Sequence, residues 1–194
     1  MIKSRTFLYW AAFALALAVP IGFAATSPLL AWRQPIYIAA GLAGVAAMAL
    51  LLVQPLLIGG HLPGLAPRSQ RALHRLNGAL LTVLVTIHVA GLWITSPPDM
   101  IDALTFTSPT PFSAYGVIAM WAVFASAMVA LARRRIRPRH WRIAHKSLVI
   151  VIVLATLAHA VQVDGTMETI SKWILAFLIL VAAGPVLLGK RNRP

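Results

Sequence analysis

Of the 194 residues, 60% are hydrophobic and only 11% charged, whereas a soluble domain is nearer 45–50% apolar and about 25% charged, so a water-soluble globule is excluded. One membrane-crossing helix takes roughly 20 apolar residues, and six would use about 120 positions, close to the apolar content of the chain, with no room for a second, soluble domain. Seventeen Lys+Arg against 4 Asp+Glu give a formal charge of +13, and there is no cysteine, which excludes disulfides, thiolate metal sites and cysteine nucleophiles together.

Six apolar runs of spanning length succeed one another along the chain. The first, Phe7–Ala25, comes after Lys3 and Arg5. Its basic start, apolar body and small residues from Gly22 to Ala25 also resemble a secretory signal peptide, and cleavage there would not alter the orientation of the later spans. Ser27-Pro28 and Pro35 lead to the second run, Ile36–Ile58, and Gly59-Gly60 through Pro67 lead to the third, Ala72–Ile94. Ser96-Pro97-Pro98, Pro109 and Pro111 separate that run from the fourth, Ser113–Ala132. Pro138 precedes the fifth, Ile143–Val163, and Ser171–Gly189 is the sixth. Pro20 and Pro55 fall inside runs, where a membrane helix tolerates them as kinks or ends. The fold class expected is all-α, an integral membrane six-helix bundle.

The loops orient the bundle. Lys3 and Arg5, Arg68, Arg71 and Arg75, the cluster Arg133, Arg134, Arg135, Arg137, Arg139, Arg142 and Lys146, and the tail Lys190, Arg191 and Arg193 all fall on one side. They are fifteen of the 17 basic residues; only Arg33 and Lys172 lie on the other side, with all four acids, Asp99, Asp102, Asp164 and Glu168. Basic loops stay cytoplasmic, so both termini are expected inside, in a bacterial inner (cytoplasmic) membrane. The +13 is then a matter of topology, and nucleic acid is not expected as a partner.

Ionisable or ligating residues within spans are costly and mark function. The third span carries His74 and His88, the fifth His145 and His159, and the spacing within the two pairs is identical. At 100° per residue, the roughly fourteen steps of that spacing return a side chain to within about 40° of the same face, roughly 21 Å along the axis. The two spans run in the same direction, so His74 and His145 share a depth near the cytoplasmic face, and His88 and His159 share a second toward the outer face. Two levels of two facing imidazoles meet the need of two six-coordinate b-type hemes, each with an axial ligand above and below. No Cys-x-x-Cys-His occurs, so covalent attachment is excluded. With both axial positions filled, electron transfer is favoured over oxygen chemistry. Interhelical hydrogen bonding, a proton pathway or a histidine-containing transporter without heme are the alternatives; metal transport lacks an accompanying intramembrane Asp, Glu or Cys.

Arg71, Arg75, Arg142 and Lys146 border the inner level, where they could pair with heme propionates as well as serve the positive-inside rule. Gly78 and Gly91 lie near the ligand face, and either admit a flat macrocycle or serve ordinary small-residue packing. Trp93 and Gln162 lie near the outer level, and Trp10, Trp32, Trp141 and Trp173 mark span ends. His61 and His140 are read as solvated loop histidines.

Six spans with LHRLNG…IHVAGLW on the third and WRIAHKSL…LAHAVQVDG on the fifth resemble the ferric reductase-like transmembrane domain, a superfamily that includes membrane ferric reductases, NADPH oxidases and the heme subunit of a periplasmic methionine-sulfoxide reductase system. The resemblance covers essentially the whole chain, residues 1–194, as one domain. It implies the heme-binding membrane component of an oxidoreductase, with His74, His145, His88 and His159 as axial ligands to two hemes b. Electrons would pass from a cytosolic NAD(P)H-linked flavin to an acceptor outside: ferric iron, oxygen, quinone or a periplasmic redox partner. No Gly-rich dinucleotide loop comes after the last span, so the flavin is expected only on a separate cytosolic flavoprotein reductase, for which the basic fourth loop offers a docking surface. The Arg-Arg-x-Leu-Gly run usual at the third span of the methionine-sulfoxide reductase subunit is missing, which leaves the terminal acceptor open. Quinol-oxidising cytochrome b shares the paired histidines but usually has one intervening span and a longer gap than the one from His74 to His145.

Overall fold

The computed structural model describes residues 2–189, with side chains from Ser4 onward; Lys3 in its side chain and Lys190, Arg191 and Arg193 altogether lie outside the described residues. The chain folds as α1 (Ile2–Ala25), α2 (Pro35–Gly59), α3 (Pro67–Thr95), α4 (Pro97–Leu104), α5 (Pro111–Leu131), α6 (Pro138–Gln162) and α7 (Thr169–Leu187), with no strand among the described residues. Six of these helices, all but α4, are long and apolar enough to cross a membrane. The expected all-α architecture of six spans is present, and the chain is a multi-pass membrane protein.

The prolines that punctuate the sequence start helices rather than merely interrupting them. α2, α3, α4, α5 and α6 each open on proline in the first turn, where its fixed φ suits the helix and its missing N–H is not needed. Two consequences depart from the sequence reading. First, α3 and α6 begin about a turn before their apolar runs, so Arg68, Arg71 and Arg75, and Arg139, Arg142 and Lys146, lie on helical turns and not in loops. Second, Ser96-Pro97-Pro98 is not simply a break. Ser96 ends α3 at φ −151°, its hydroxyl donates to the Asp99 carboxylate at 2.6 Å, and the prolines launch the short helix α4.

α2 pairs with α3 and α5 with α6 as two helical hairpins; α3 also packs on α5, and α7 bridges α2 and α6. These five helices close a ring, with α1 resting outside on α2 and α7. Met48 and Leu52, Leu81, Val123, Ile152, Leu175 and Ile179 fill the middle, the last two with no exposed area. Apolar side chains cover much of the outer surface, among them Phe7, Leu15, Phe177 and Leu180, as a lipid-facing surface requires.

The acidic end is tied together by α7. Glu168 accepts from the backbone N–H groups of Ile170 and Ser171 at 2.8 and 2.9 Å, capping that helix. Those two hydrogen bonds hold the Glu168 carboxyl below its ordinary value. Lys172 is not a stray surface charge. It is 3% exposed, and its Nζ donates to the carbonyl of Val163 at 2.9 Å, satisfying the open C-terminus of α6.

Candidate functional site

The four histidines expected as a set are brought together in two pairs. His74 and His145 have ring centroids 6.5 Å apart with planes at 80°; His88 and His159 repeat the arrangement at 6.5 Å and 73°. The two pairings require α3 and α6 to run parallel. His74 and His145 lie toward the basic end and His88 and His159 toward the acidic end, and the helix between them puts roughly 21 Å between the levels. Leu81 and Ile152, each midway between the two histidines of its helix, are buried in the core between the levels. Their hydrocarbon side chains neither donate nor accept hydrogen bonds.

The second ring nitrogen of each histidine decides which one faces the partner. His88 Nδ1 lies 2.8 Å from the carbonyl oxygen of Ala40 on α2, and His159 Nδ1 lies 2.8 Å from that of Phe112 on α5. A carbonyl only accepts, so Nδ1 must carry the proton and Nε2 keeps its lone pair. At the basic-end level His145 Nδ1 lies 3.1 Å from the Ser126 hydroxyl, a group able to donate or accept. His74 Nδ1 is buried without a hydrogen-bond partner, as is Gln54 Oε1.

This geometry fits an iron macrocycle. An imidazole nitrogen binds a metal at about 2 Å with its ring centre ~1 Å behind, so two axial imidazoles have centroids about 6 Å apart, against 6.5 Å at both levels. Among the described residues no three His, Cys, Asp or Glu side chains converge. Two imidazoles fall short of the three or four protein ligands of a zinc site and lack the oxygens of a calcium site, but are the number a porphyrin leaves open on its iron. The buried, unpartnered His74 Nδ1 belongs to the same cluster.

Arg71, Arg75, Arg142 and Lys146 are exposed on the turns flanking His74 and His145, at the end of the bundle remote from the four acids. Trp141, expected only as an interfacial aromatic, stacks on His145 at 5.4 Å and 9°, with the Arg133 guanidinium 5.5 Å over its ring. Gly78 and Gly91 lie where α3 meets α2. A Cβ on Gly78 would meet Gln54 Nε2 and one on Gly91 the Ala40 side chain, so both permit packing of α3 on α2. Gln162 bonds back to the Ala158 carbonyl, and His61 covers Gly59 at the end of α2.

A signal in the sequence could have found the supporting residues. Pro67-Arg68, Arg71, His74-Arg75, Leu81 and His88 on α3 recur with unchanged spacing as Pro138-Arg139, Arg142, His145-Lys146, Ile152 and His159 on α6. On the partner helices Ala40, Gly44 and Gln54 recur in the same way as Phe112, Gly116 and Ser126, at an offset longer by a single position. The two hairpins are an internal repeat, and aligning the chain on itself at that offset equates Ala40 with Phe112, Gly44 with Gly116 and Gln54 with Ser126.

The family described as ferric reductase like transmembrane component matches residues 40–156, and the chain belongs to it. The match starts at Ala40 and takes in three of the four histidines; His159 lies just beyond it, paired with His88 by the geometry. No curated protein and no solved structure matches the chain. Members of this family generally bind heme and work in transmembrane electron transfer with redox partners.

Proposed function

We propose that the whole chain, residues 1–194, is one transmembrane electron-transfer domain holding two b-type hemes, the inner between His74 and His145 and the outer between His88 and His159. The observation that carries this reading is the repeated pair geometry, 6.5 Å between ring centroids at both levels, within a chain of the ferric reductase-like family. Heme b, when bound, supplies a one-electron iron couple. The protein's part is to present four Nε2 lone pairs, to hold the proton on Nδ1 of His88 and His159 through the Ala40 and Phe112 carbonyls, and to exclude water between levels with Leu81, Ile152 and their neighbours. Arg71, Arg75, Arg142 and Lys146 stand where they can take the carboxylates of the inner macrocycle.

The basic end faces the cytoplasm in this reading, with both termini inside a bacterial inner membrane, because the charge is so unevenly divided. Electrons then enter at the His74/His145 level from a separate cytosolic flavoprotein reductase, whose acidic surface the arginines around Arg133 to Arg142 suit. They leave from the His88/His159 level to an acceptor outside: ferric iron, oxygen, quinone or a periplasmic redox protein.

Absorption spectra of protein purified from heme-sufficient cells test the assignment. Reduced b-type bands at two hemes per chain are expected, and a variant lacking all four histidines should be colourless. A colourless native protein would leave a transporter or proton pathway in its place. Because the chain has no cysteine, single cysteines at Ser69 or Thr107 report sidedness with an impermeant maleimide; labelling of Ser69→Cys from outside intact cells would refute the orientation.

A further inference from the structure

We propose that Gly44 and Gly116 are a matched pair of positioning residues that open a backbone carbonyl to each outer histidine and so set Nε2 of His88 and His159 as the ligating atom. The inference rests on the two-heme reading and deepens it for the outer level.

The reason lies in helix geometry. Every Cα–Cβ bond tilts toward the helix N-terminus, so the Cβ of residue i+4 overhangs the carbonyl of residue i. That carbonyl already accepts the N–H of residue i+4 and has a second lone pair free. A side chain at i+4 shields it from lateral approach; glycine leaves it open. Ala40 and Gly44 stand in this relation on α2, and Phe112 and Gly116 on α5.

The two sites agree closely. A Cβ built on Gly44 would lie 2.8 Å from His88 Nδ1 and 3.0 Å from Cε1, and one on Gly116 would lie 2.8 and 2.9 Å from the same atoms of His159. Any side chain at either position drives the ring off its carbonyl. The pairing occurs once in each hairpin, at equivalent places in the internal repeat.

The inner level is built otherwise. The residues four after Gln54 and Ser126 are Ile58 and Ala130, and His145 turns to the Ser126 side chain. The outer ligands are therefore held by backbone that cannot rotate away, each through a carbonyl opened by glycine, whereas His145 is held by a side chain that can rotate and no glycine stands four residues after Gln54. A carbonyl accepting from Nδ1–H fixes the ring and raises the basicity of Nε2, which favours ferric iron at the outer level.

The experiment uses the full-length protein loaded with heme: wild type, Gly44→Ala, Gly116→Ala, and Gly184→Ala, whose added methyl meets nothing within 4 Å. Heme retention against a soluble apo-globin, low-spin ferric EPR and redox titration are read for each. Both outer variants should perturb the heme that His88→Ala removes, with about 10- to 100-fold weaker retention and a midpoint shifted upward. The other heme and Gly184→Ala should match wild type. Alanine is the better helix former, so a general loss of folding is not the expected cause. In a His88→Ala background the ring is gone, and Gly44→Ala should cause no further loss of heme content or of melting temperature.

Wild type with two hemes and both outer variants indistinguishable from it would overturn the role of the glycines alone. Equal perturbation of both hemes, or an added loss in the His88→Ala background, would do the same. Wild type without heme would instead overturn the functional reading beneath it.

Discussion

Replacing His88 by alanine removes one of the two nitrogens at the outer level and leaves the inner pair, roughly 21 Å of helix away, untouched. No ligand is shared between levels, and Leu81 and Ile152 separate them. Heme content should therefore fall from two per chain to one, not to zero. A ligand at a hundredfold excess over its Kd stabilises the folded state by about 2.7 kcal/mol. For a chain of this size that is a melting shift on the order of 5–10 °C, and the variant should lose about that much relative to wild type with heme present. Pyridine hemochrome analysis gives the stoichiometry. Reduction from each side of sealed vesicles gives the level: in His88→Ala the remaining heme should be reducible from the basic side but pass nothing to an acceptor outside. His74→Ala or His145→Ala should remove the inner heme and prevent reduction of the outer one from that side. Two hemes retained in His88→Ala, or loss of both in every single variant, would refute the assignment of levels.

Ser126→Ala removes the hydroxyl 3.1 Å from His145 Nδ1 and should weaken retention of the inner heme about tenfold or more, with the outer EPR signal unchanged. Leu81→Ala opens a cavity in a site only 7% exposed and should cost about 2–5 kcal/mol in denaturation while keeping two hemes per chain. Glu168 has its carboxyl lowered by the cap it forms on α7, so its contribution is complete above the usual carboxylate pKa of about 4.3 and is lost as pH falls through the lowered folded value. Glu168→Ala should therefore melt below wild type at neutral pH, with the difference closing under acid conditions; a constant difference at all pH values would contradict the sign.

The spans were legible because a bilayer imposes a length and a polarity that composition alone must meet. Charge segregation and the repeated histidine spacing were legible for similar reasons: both are one-dimensional patterns along a helix of known rise. Helix starts were less so. Pro67 and Pro138 read as breakers when they are first-turn residues, and Pro97-Pro98 concealed α4. Trp141 looked like a span-end aromatic because the apolar run starts at Ile143; once α6 begins at Pro138, Trp141 and His145 are one turn apart on the same helix and stack.

The sequence by itself determined six apolar helices, the division of charge between their ends and the matching depths of four histidines. Each follows from local composition and the fixed period of the helix. Only the tertiary structure decided what each imidazole rests on: the Ala40 and Phe112 carbonyls for His88 and His159, and the Ser126 hydroxyl for His145. Those partners come from another helix, 19 to 48 residues away along the chain. A contact of that kind depends on how closely two backbones approach, and at Gly44 and Gly116 the approach is set by the absence of a side chain.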